Sequence, residues 1–449
     1  MKNVFFVGIN GIGMSGLAKI MKELNYNVYG SDPNSSYLTE EMRSQGITIY
    51  SEHKEENIKG MDTLVVSTAI SKENPEYKKA MEEGIPVIKR GELLARLLNQ
   101  KVGLAVAGTH GKTTTSSMLA TVLLEKDPTI VVGGIVECIK SNAKYGAGEY
   151  FVAEADESDN SFLYMRPKYS VITNIEADHL EKHGSLENIK KSFNIFMQQT
   201  EKEVIVCLDN KNIQELIGYK ENVITYSLLD KRADIYADGI KIVNGKTIYD
   251  VYIKGEYVGE FSLSIPGKHN VYNSLPVIYL SREFGLDMKN VKEKIENFKG
   301  AKRRYDVLFD DGEIKVIDDY AHHPTEIEAT LQGAKSIEDK QITVIFQPHR
   351  YSRVKFLLEE FAGTFKSADE LILMPVYSAG EKDEFGVTLE DLLKKINHEN
   401  GKMLSSKEEL EEILNKNEKR VYMFMGAGSI SSFAHEFVER LENQKKGMN

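Results

Sequence analysis

Gly108-Thr109-His110-Gly111-Lys112-Thr113-Thr114 sets glycines, a lysine and a hydroxyl at the spacing that holds a polyphosphate. Loop amides cradle β- and γ-phosphates, Lys112 supplies a point charge, and the Thr113 hydroxyl can sit on Mg²⁺. The eight-residue phosphate-loop pattern wants glycine at 106, where this chain has Val106, so the motif is a shortened variant. A second loop, Gly11-Ile12-Gly13-Met14-Ser15-Gly16, matches G-x-G-x-x-G, with Asp32 about 20 residues on. Its glycines let backbone approach a pyrophosphate at a helix N-terminus. NAD, another nucleoside diphosphate, or a turn needed only for packing all satisfy that pattern.

Glu154-Ala155-Asp156-Glu157-Ser158-Asp159 crowds four carboxylates behind an apolar run. Like charges this close repel, and a divalent cation such as Mg²⁺ resolves the conflict. Asn174-Ile175-Glu176-Ala177-Asp178-His179 closes the next apolar run, which makes His179 a candidate for a second metal position beside Glu154; a solvated acidic loop and a helix-start histidine are the plain alternatives. Asp318-Asp319-Tyr320-Ala321-His322-His323-Pro324-Thr325-Glu326 and Gln347-Pro348-His349-Arg350-Tyr351-Ser352-Arg353 follow two further runs. Arginines three apart at a helix start share a face and can clamp one carboxylate. Arg303 and Arg304 stand where nucleotide phosphates could be reached from a domain junction. Seven of the ten histidines fall in or beside these clusters, which favours a site over surface filler.

The elements that must position these groups read as α/β throughout. Val4 to Val7, Asn27 to Gly30 and Thr63 to Ser67 are strand candidates separated by helical spacing, the logic of a parallel Rossmann-like sheet. Val102 to Ala107 opens a central phosphate-loop domain, with further strands at Tyr150 to Ala155, Ser170 to Thr173 and Val204 to Leu208. Between about residues 233 and 265 the period becomes two, and Asn244-Gly245 predicts a two-residue hairpin within appended antiparallel strands. A third α/β, Rossmann-like unit runs through Ile314 to Ile317, Ile342 to Phe346, Leu371 to Met374 and Val421 to Met425. The expected domains are 1–98, 99–300 and 301–449. The charged run Lys394 to Lys419 reads as solvated helices without a function.

With 57 Lys and Arg against 68 Asp and Glu, the net charge of −11 disfavours nucleic acid and anionic membranes as partners. Two cysteines, Cys138 and Cys207, cannot build a disulfide framework, and no apolar run reaches a membrane span. A cytoplasmic chain is expected.

Taken together, the two glycine loops, Glu154 to Asp159, Asn174 to His179, His269-Asn270, Asp318 to Glu326 and Gln347 to Arg353 resemble the Mur ligase family. Thr-His between the glycines, Glu-Ala-Asp-Glu-Ser-Asp and His-Arg-Tyr are similar to the branch that adds L-alanine. The resemblance implies ATP-dependent joining of L-alanine to the lactoyl carboxylate of UDP-N-acetylmuramate, the first amino-acid addition in peptidoglycan-precursor synthesis. It implies that Gly11, Gly13, Met14, Ser15, Asp32, Ser67, Thr68 and His110 form the UDP-sugar pocket. ATP would then meet Gly108, Thr109, His110, Gly111, Lys112, Thr113, Thr114, His269, Asn270, Asn273, Arg304 and Asp319. Thr113, Glu154 and His179 would hold Mg²⁺ or Mn²⁺. Tyr320, His322, Arg350 and Arg353 would receive L-alanine, with Lys112, His322 and the two arginines acting in catalysis and His322 as a possible proton acceptor. A monomer or weak homodimer is expected. Asn194 stands where several family members carry a carbamylated lysine, a departure the alanine-adding branch shares. An NAD-dependent oxidoreductase would use only the first loop, and a nucleotide-binding switch only the second.

Overall fold

The computed structural model describes residues 2–386, 388–404, 409–410, 414 and 419–447. Three sheets divide them. The first is wholly parallel, in the order Thr48–Tyr50, Asn27–Ser31, Asn3–Val7, Thr63–Val66, Val87–Lys89. Strand order reverses at Asn3–Val7, so the crevice where an open α/β sheet binds ligands opens at the first glycine loop.

The second sheet has ten strands. Val102–Ala107 lies between Tyr169–Ile172 and Tyr150–Glu154, both parallel to it. The C-terminal ends of all three strands therefore meet on one edge, and the phosphate loop, Glu154 and Asn174 meet with them. Ile235–Val243, Lys246–Ile253 and Glu256–Leu263 extend the sheet as an antiparallel meander. Asn244 and Gly245 join the first two with φ of 52° and 75°, the two left-handed residues a type I′ turn requires. The third sheet is parallel except for its edge strand Asp306–Asp310.

Several strands carried too little periodicity to be legible in sequence, among them Thr129–Val136, Ser141–Lys144 and Val223–Ser227. Of the charged run 394–419, residues 405–408, 411–413 and 415–418 lie outside the described residues. No helix among the described residues is long and apolar enough to cross a membrane.

The cores are unequal. One apolar cluster runs from Val4 to Phe298 and joins the first sheet to the second, whereas the third sheet has its own clusters on its two faces. The first two units meet where helix Arg90–Leu98 packs on the turn Ser161–Tyr164. A Cβ on Gly91 would stand 2.2 Å from the Cβ of Ser161. Gly91→Ala is expected to push these units apart and cost about 1–3 kcal/mol in urea unfolding; an unchanged midpoint would show that the joint has slack.

Candidate active site

Helix Lys112–Leu123 begins at the phosphate loop, and Gly111 caps it at φ 82°. A Cβ there would meet the Asn273 amide oxygen at 2.5 Å, so glycine is required both by backbone angle and by the approach of helix Lys268–Glu283. Lys112 Nζ folds back on its own loop, donating to the carbonyl of Thr109 at 3.1 Å and to Glu157 at 2.8 Å. Burial opposes its charge, but Glu157, Glu154 and Asp156 outweigh burial and hold the ammonium above its ordinary pKa. The Thr113 hydroxyl donates to Glu154 at 2.9 Å, and the Gly133 N–H donates to the same oxygen at 2.8 Å.

Beside the loop lies a cavity of about 300 Å³. His110, Gly111, Thr113, Thr114, His269, Asn270, Asn273, Arg304 and Asp319 line it, so most residues expected around ATP converge on one space. Gly108, Thr109 and Lys112 do not line it, and the carbonyls of Gly108 and Thr109 accept from Lys112. Burial pushes the Asp319 carboxyl up to about 6 against Arg304, and lowers His269 to about 4. The sequence reading missed Asp209 and Tyr272, which also line the cavity and share a 2.7 Å hydrogen bond. Their signal was available: Asp209 follows the strand Glu203–Cys207 as Asn174 follows its own.

A seam of charge joins the central sheet to the third unit. His110 stands with Nδ1 3.2 Å from Glu326 and Nε2 3.4 Å from Glu176. Burial disfavours its cation, but the two carboxylates prevail and raise it to about 9. The Thr325 hydroxyl donates to Glu176 at 2.8 Å. Arg353, buried, pairs with Asp178 at 3.3 Å and holds that carboxyl far below its ordinary range despite burial.

Arg350 and Arg353 do not clamp one carboxylate here. Arg350 precedes helix Tyr351–Phe356 with φ 68° and pairs with Glu381 at 3.3 Å, while Arg353 turns to Asp178. Positive φ at an arginine costs of order 1–3 kcal/mol, and such strain gathers at functional sites. His322 donates Nδ1–H to the Tyr320 carbonyl at 2.9 Å, which leaves Nε2 as an acceptor. Burial and then Arg353 lower its pKa to about 3, so the ring is neutral. The guanidinium groups of Arg303 and Arg304 both stand over the Tyr320 ring, 5.0 and 5.1 Å from its centroid. Arg303 itself donates to the Gly426 carbonyl at 2.7 Å and pairs with Asp318 at 3.4 Å.

For a divalent cation, Thr113 and Glu154 offer adjoining oxygens, the donor type Mg²⁺ prefers. His179, expected to share the metal, has Asp178 and Glu181 beside it, at 3.6 and 3.5 Å. His110, Glu176 and His323 form another close set, with one donor atom from each within 4.8 Å of the others. Asn194, at the carbamylated-lysine position, keeps its side-chain oxygen buried without a partner.

In the first loop, Gly11 precedes helix Ile12–Glu23, and Asp32 accepts the N–H groups of Asn10 and Asn34, each at 3.0 Å. Met14 and Ser15 are buried and donate to the Gly11 carbonyl, so they build the helix start. A Cβ on Gly13 would touch Arg90 at 3.1 Å, which puts a cation beside the loop that the sequence reading missed. Gly16 packs against Ala143 of the central unit. Ser67 and Thr68 turn beside the loop, where Ile70 meets Gly8.

Comparison with known proteins matches three family profiles in order: "Mur ligase family, catalytic domain" over residues 3–102, "Mur ligase middle domain" over 106–281, and "Mur ligase, glutamate ligase domain" over 303–428. The UDP-N-acetylmuramate–L-alanine ligase of Fusobacterium nucleatum is 55% identical over 460 residues, covering 99% of this chain and 98% of that protein. Its namesake from Carboxydothermus hydrogenoformans is 44% identical over 98% of this chain and 96% of its own length. A crystal structure of UDP-N-acetylmuramate–alanine ligase from Thermotoga maritima superposes with TM-score 0.83 at 34% identity, covering 99% of this chain and 100% of that one. A murein peptide ligase from Psychrobacter arcticus, 23% identical, shares the fold at TM-score 0.71, covering 99% of each chain. With three profiles in register along a single chain and full-length relatives this similar, the protein belongs to the Mur ligase family.

Proposed function

We propose that this chain is the ATP-dependent ligase that joins L-alanine to the lactoyl carboxylate of UDP-N-acetylmuramate, passing through an acyl phosphate and releasing ADP and phosphate. The observation that carries the proposal is the cavity at the seam. It presents the phosphate-loop wall and the start of helix Pro324–Ile337 to one space, and that helix belongs to the same unit as Arg350 and Arg353. An NAD enzyme would need only the first loop. A nucleotide switch would leave the first loop, Arg350 and Arg353 without a purpose.

A carboxylate is a poor electrophile, so it needs a leaving group before an amine can attack. The lactoyl carboxylate attacks the γ-phosphate of ATP, and ADP leaves. Lys112 exchanges Glu157 for the phosphate oxygens and arrives charged, so positioning and electrostatics supply most of the rate. Mg²⁺, held by Thr113 and Glu154, would offset the remaining phosphate charge. The first loop with Arg90, Asp32 and the Ser67-Thr68 turn holds the UDP-sugar. Asp209 and Tyr272 extend the ATP wall. The amine of L-alanine then attacks the acyl carbon, phosphate departs, and the amine's proton passes to an acceptor. Nε2 of His322 has a free lone pair, but Arg353 beside it keeps it a weak base until the alanine carboxylate arrives to share that charge. Arg350 exchanges Glu381 for the same carboxylate. The acceptor, donor and amino-acid units are assigned to 1–98, 99–300 and 301–449, in a cytoplasmic monomer or weak homodimer.

Lys112→Ala is expected to abolish phosphate release from ATP with UDP-N-acetylmuramate and L-alanine both present. Near-normal turnover would remove the loop from the reaction. Arg350→Ala should raise KM for alanine about tenfold or more while leaving KM for ATP within about threefold. Equal effects on both would make the arginine structural. Against L-serine and glycine, a small side-chain pocket gives L-alanine an advantage of about 1–3 kcal/mol in kcat/KM; another amino acid used better than all three would sink the assignment.

A further inference from the structure

His323 takes no part in the chemistry above, yet it is 4% exposed and stands where the phosphate loop meets the third unit. Its ring centroid is 4.5 Å from that of His110. It caps helix Pro324–Ile337, with Nδ1 accepting the backbone N–H of Thr325 at 3.3 Å. A backbone N–H can only donate, so the lone pair lies on Nδ1 and the proton of the neutral ring on Nε2. Burial, helped by the His110 cation, keeps the ring neutral with its pKa lowered to about 4.

That Nε2–H is buried and has no acceptor. A buried donor left unpaired is costly, and native structures keep few of them without a reason. The neighbouring carboxylates are engaged elsewhere: Asp178 by Arg353, Glu176 by Thr325 and His110, Glu326 by His110 and Arg304. A metal ion does not answer the need, because the lone pair of His323 is committed to the helix cap. An oxyanion does. His323 also lines a second cavity, of about 330 Å³, which shares Glu176 and Thr325 with the nucleotide cavity. His323 therefore lines a space that adjoins the nucleotide cavity.

We propose that His323 is a catalytic residue of the reaction, its Nε2–H donating to an oxygen of the phosphoryl group in transfer. The proposal rests on the ligase reading for the acceptor, but needs only that a phosphoryl group leave ATP at this seam. The histidine forms no bond to phosphorus and exchanges no proton. It supplies a fixed dipole where negative charge is shared among the phosphoryl oxygens, and that charge is greatest in the transition state.

Two substitutions separate this role from the helix cap. Asparagine is itself a good cap and its oxygen can stand where Nδ1 stands, but it lacks a donor at the Nε2 position. Glutamine reaches the Nε2 position with an amide N–H. His323→Asn is expected to keep the thermal midpoint and the affinity for a non-hydrolysable ATP analogue, and to lose about 100-fold in kcat. His323→Gln should recover about tenfold of that loss. Binding of MgADP with aluminium fluoride, a mimic of the phosphoryl group in flight, should weaken in His323→Asn by at least about tenfold while MgADP alone binds as before. This arm reads the donor without UDP-N-acetylmuramate or alanine, so a wrong acceptor substrate would stop wild-type turnover yet leave the fluoride result standing. Unchanged kcat and fluoride affinity in His323→Asn would overturn the proposal. So would a parallel fall of stability, analogue affinity and kcat in both variants.

Discussion

The arrangement depends on charge held across a seam rather than on a shared core. The first two units are fused through one apolar cluster, but the third keeps its apolar clusters to itself. It meets the central unit through Arg353 with Asp178, through His110 between Glu176 and Glu326, and through Thr325 with Glu176. Beneath these contacts helix Pro324–Ile337 approaches the turn before helix Lys268–Glu283 closely at Gly333 and Gly267. Buried pairs of this kind are weak net stabilisers, because desolvation offsets most of their attraction, but breaking one side is costly. A seam so built favours one arrangement without fusing the units.

The cations at and beside the seam are those a substrate would claim. Lys112 is satisfied by Glu157, Arg350 by Glu381 and Arg353 by Asp178. Each cation thus has a carboxylate in the place of a phosphate or amino-acid carboxylate. Exchange of one oxyanion for another keeps every buried charge partnered through binding, where an empty cationic pocket would cost several kcal/mol. The strained backbone of Arg350 fits the same pattern: a side chain held in place by its surroundings rather than by local preference.

Much of this was legible in the chain because catalytic groups in parallel sheets follow strand C-termini. Val102–Ala107, Tyr150–Glu154 and Tyr169–Ile172 are short apolar runs with polar clusters behind them, and the motifs fell where the sheet brought them together. Asn244-Gly245 fixed its hairpin by turn chemistry alone. What stayed hidden was long-range. Arg90 beside Gly13, and Tyr272 on Asp209, join residues far apart in sequence that no local spacing connects. The arginine pair was legible as residues but not in its present partners: Arg350, at positive φ ahead of the helix, pairs with Glu381 and Arg353 with Asp178. His179 stands at φ 52° with Asp178 and Glu181 as its ion-pair neighbours, partners that the spacing of its motif does not single out.

The seam's dependence on charge is open to direct measurement by small-angle scattering across pH. His110 gains a proton-linked hold because its pKa is raised in the closed arrangement. The hold is full below the ordinary value of 6.5 and fades as pH rises through about 9. Asp178 and Glu326, both depressed, lose theirs only in acid, below the ordinary carboxylate range. The radius of gyration should therefore stay constant near neutrality and grow as pH passes about 9, with His110→Gln already expanded at pH about 7 and insensitive to that step. A radius identical in both proteins from about pH 7 to about pH 10 would contradict a charge-held seam.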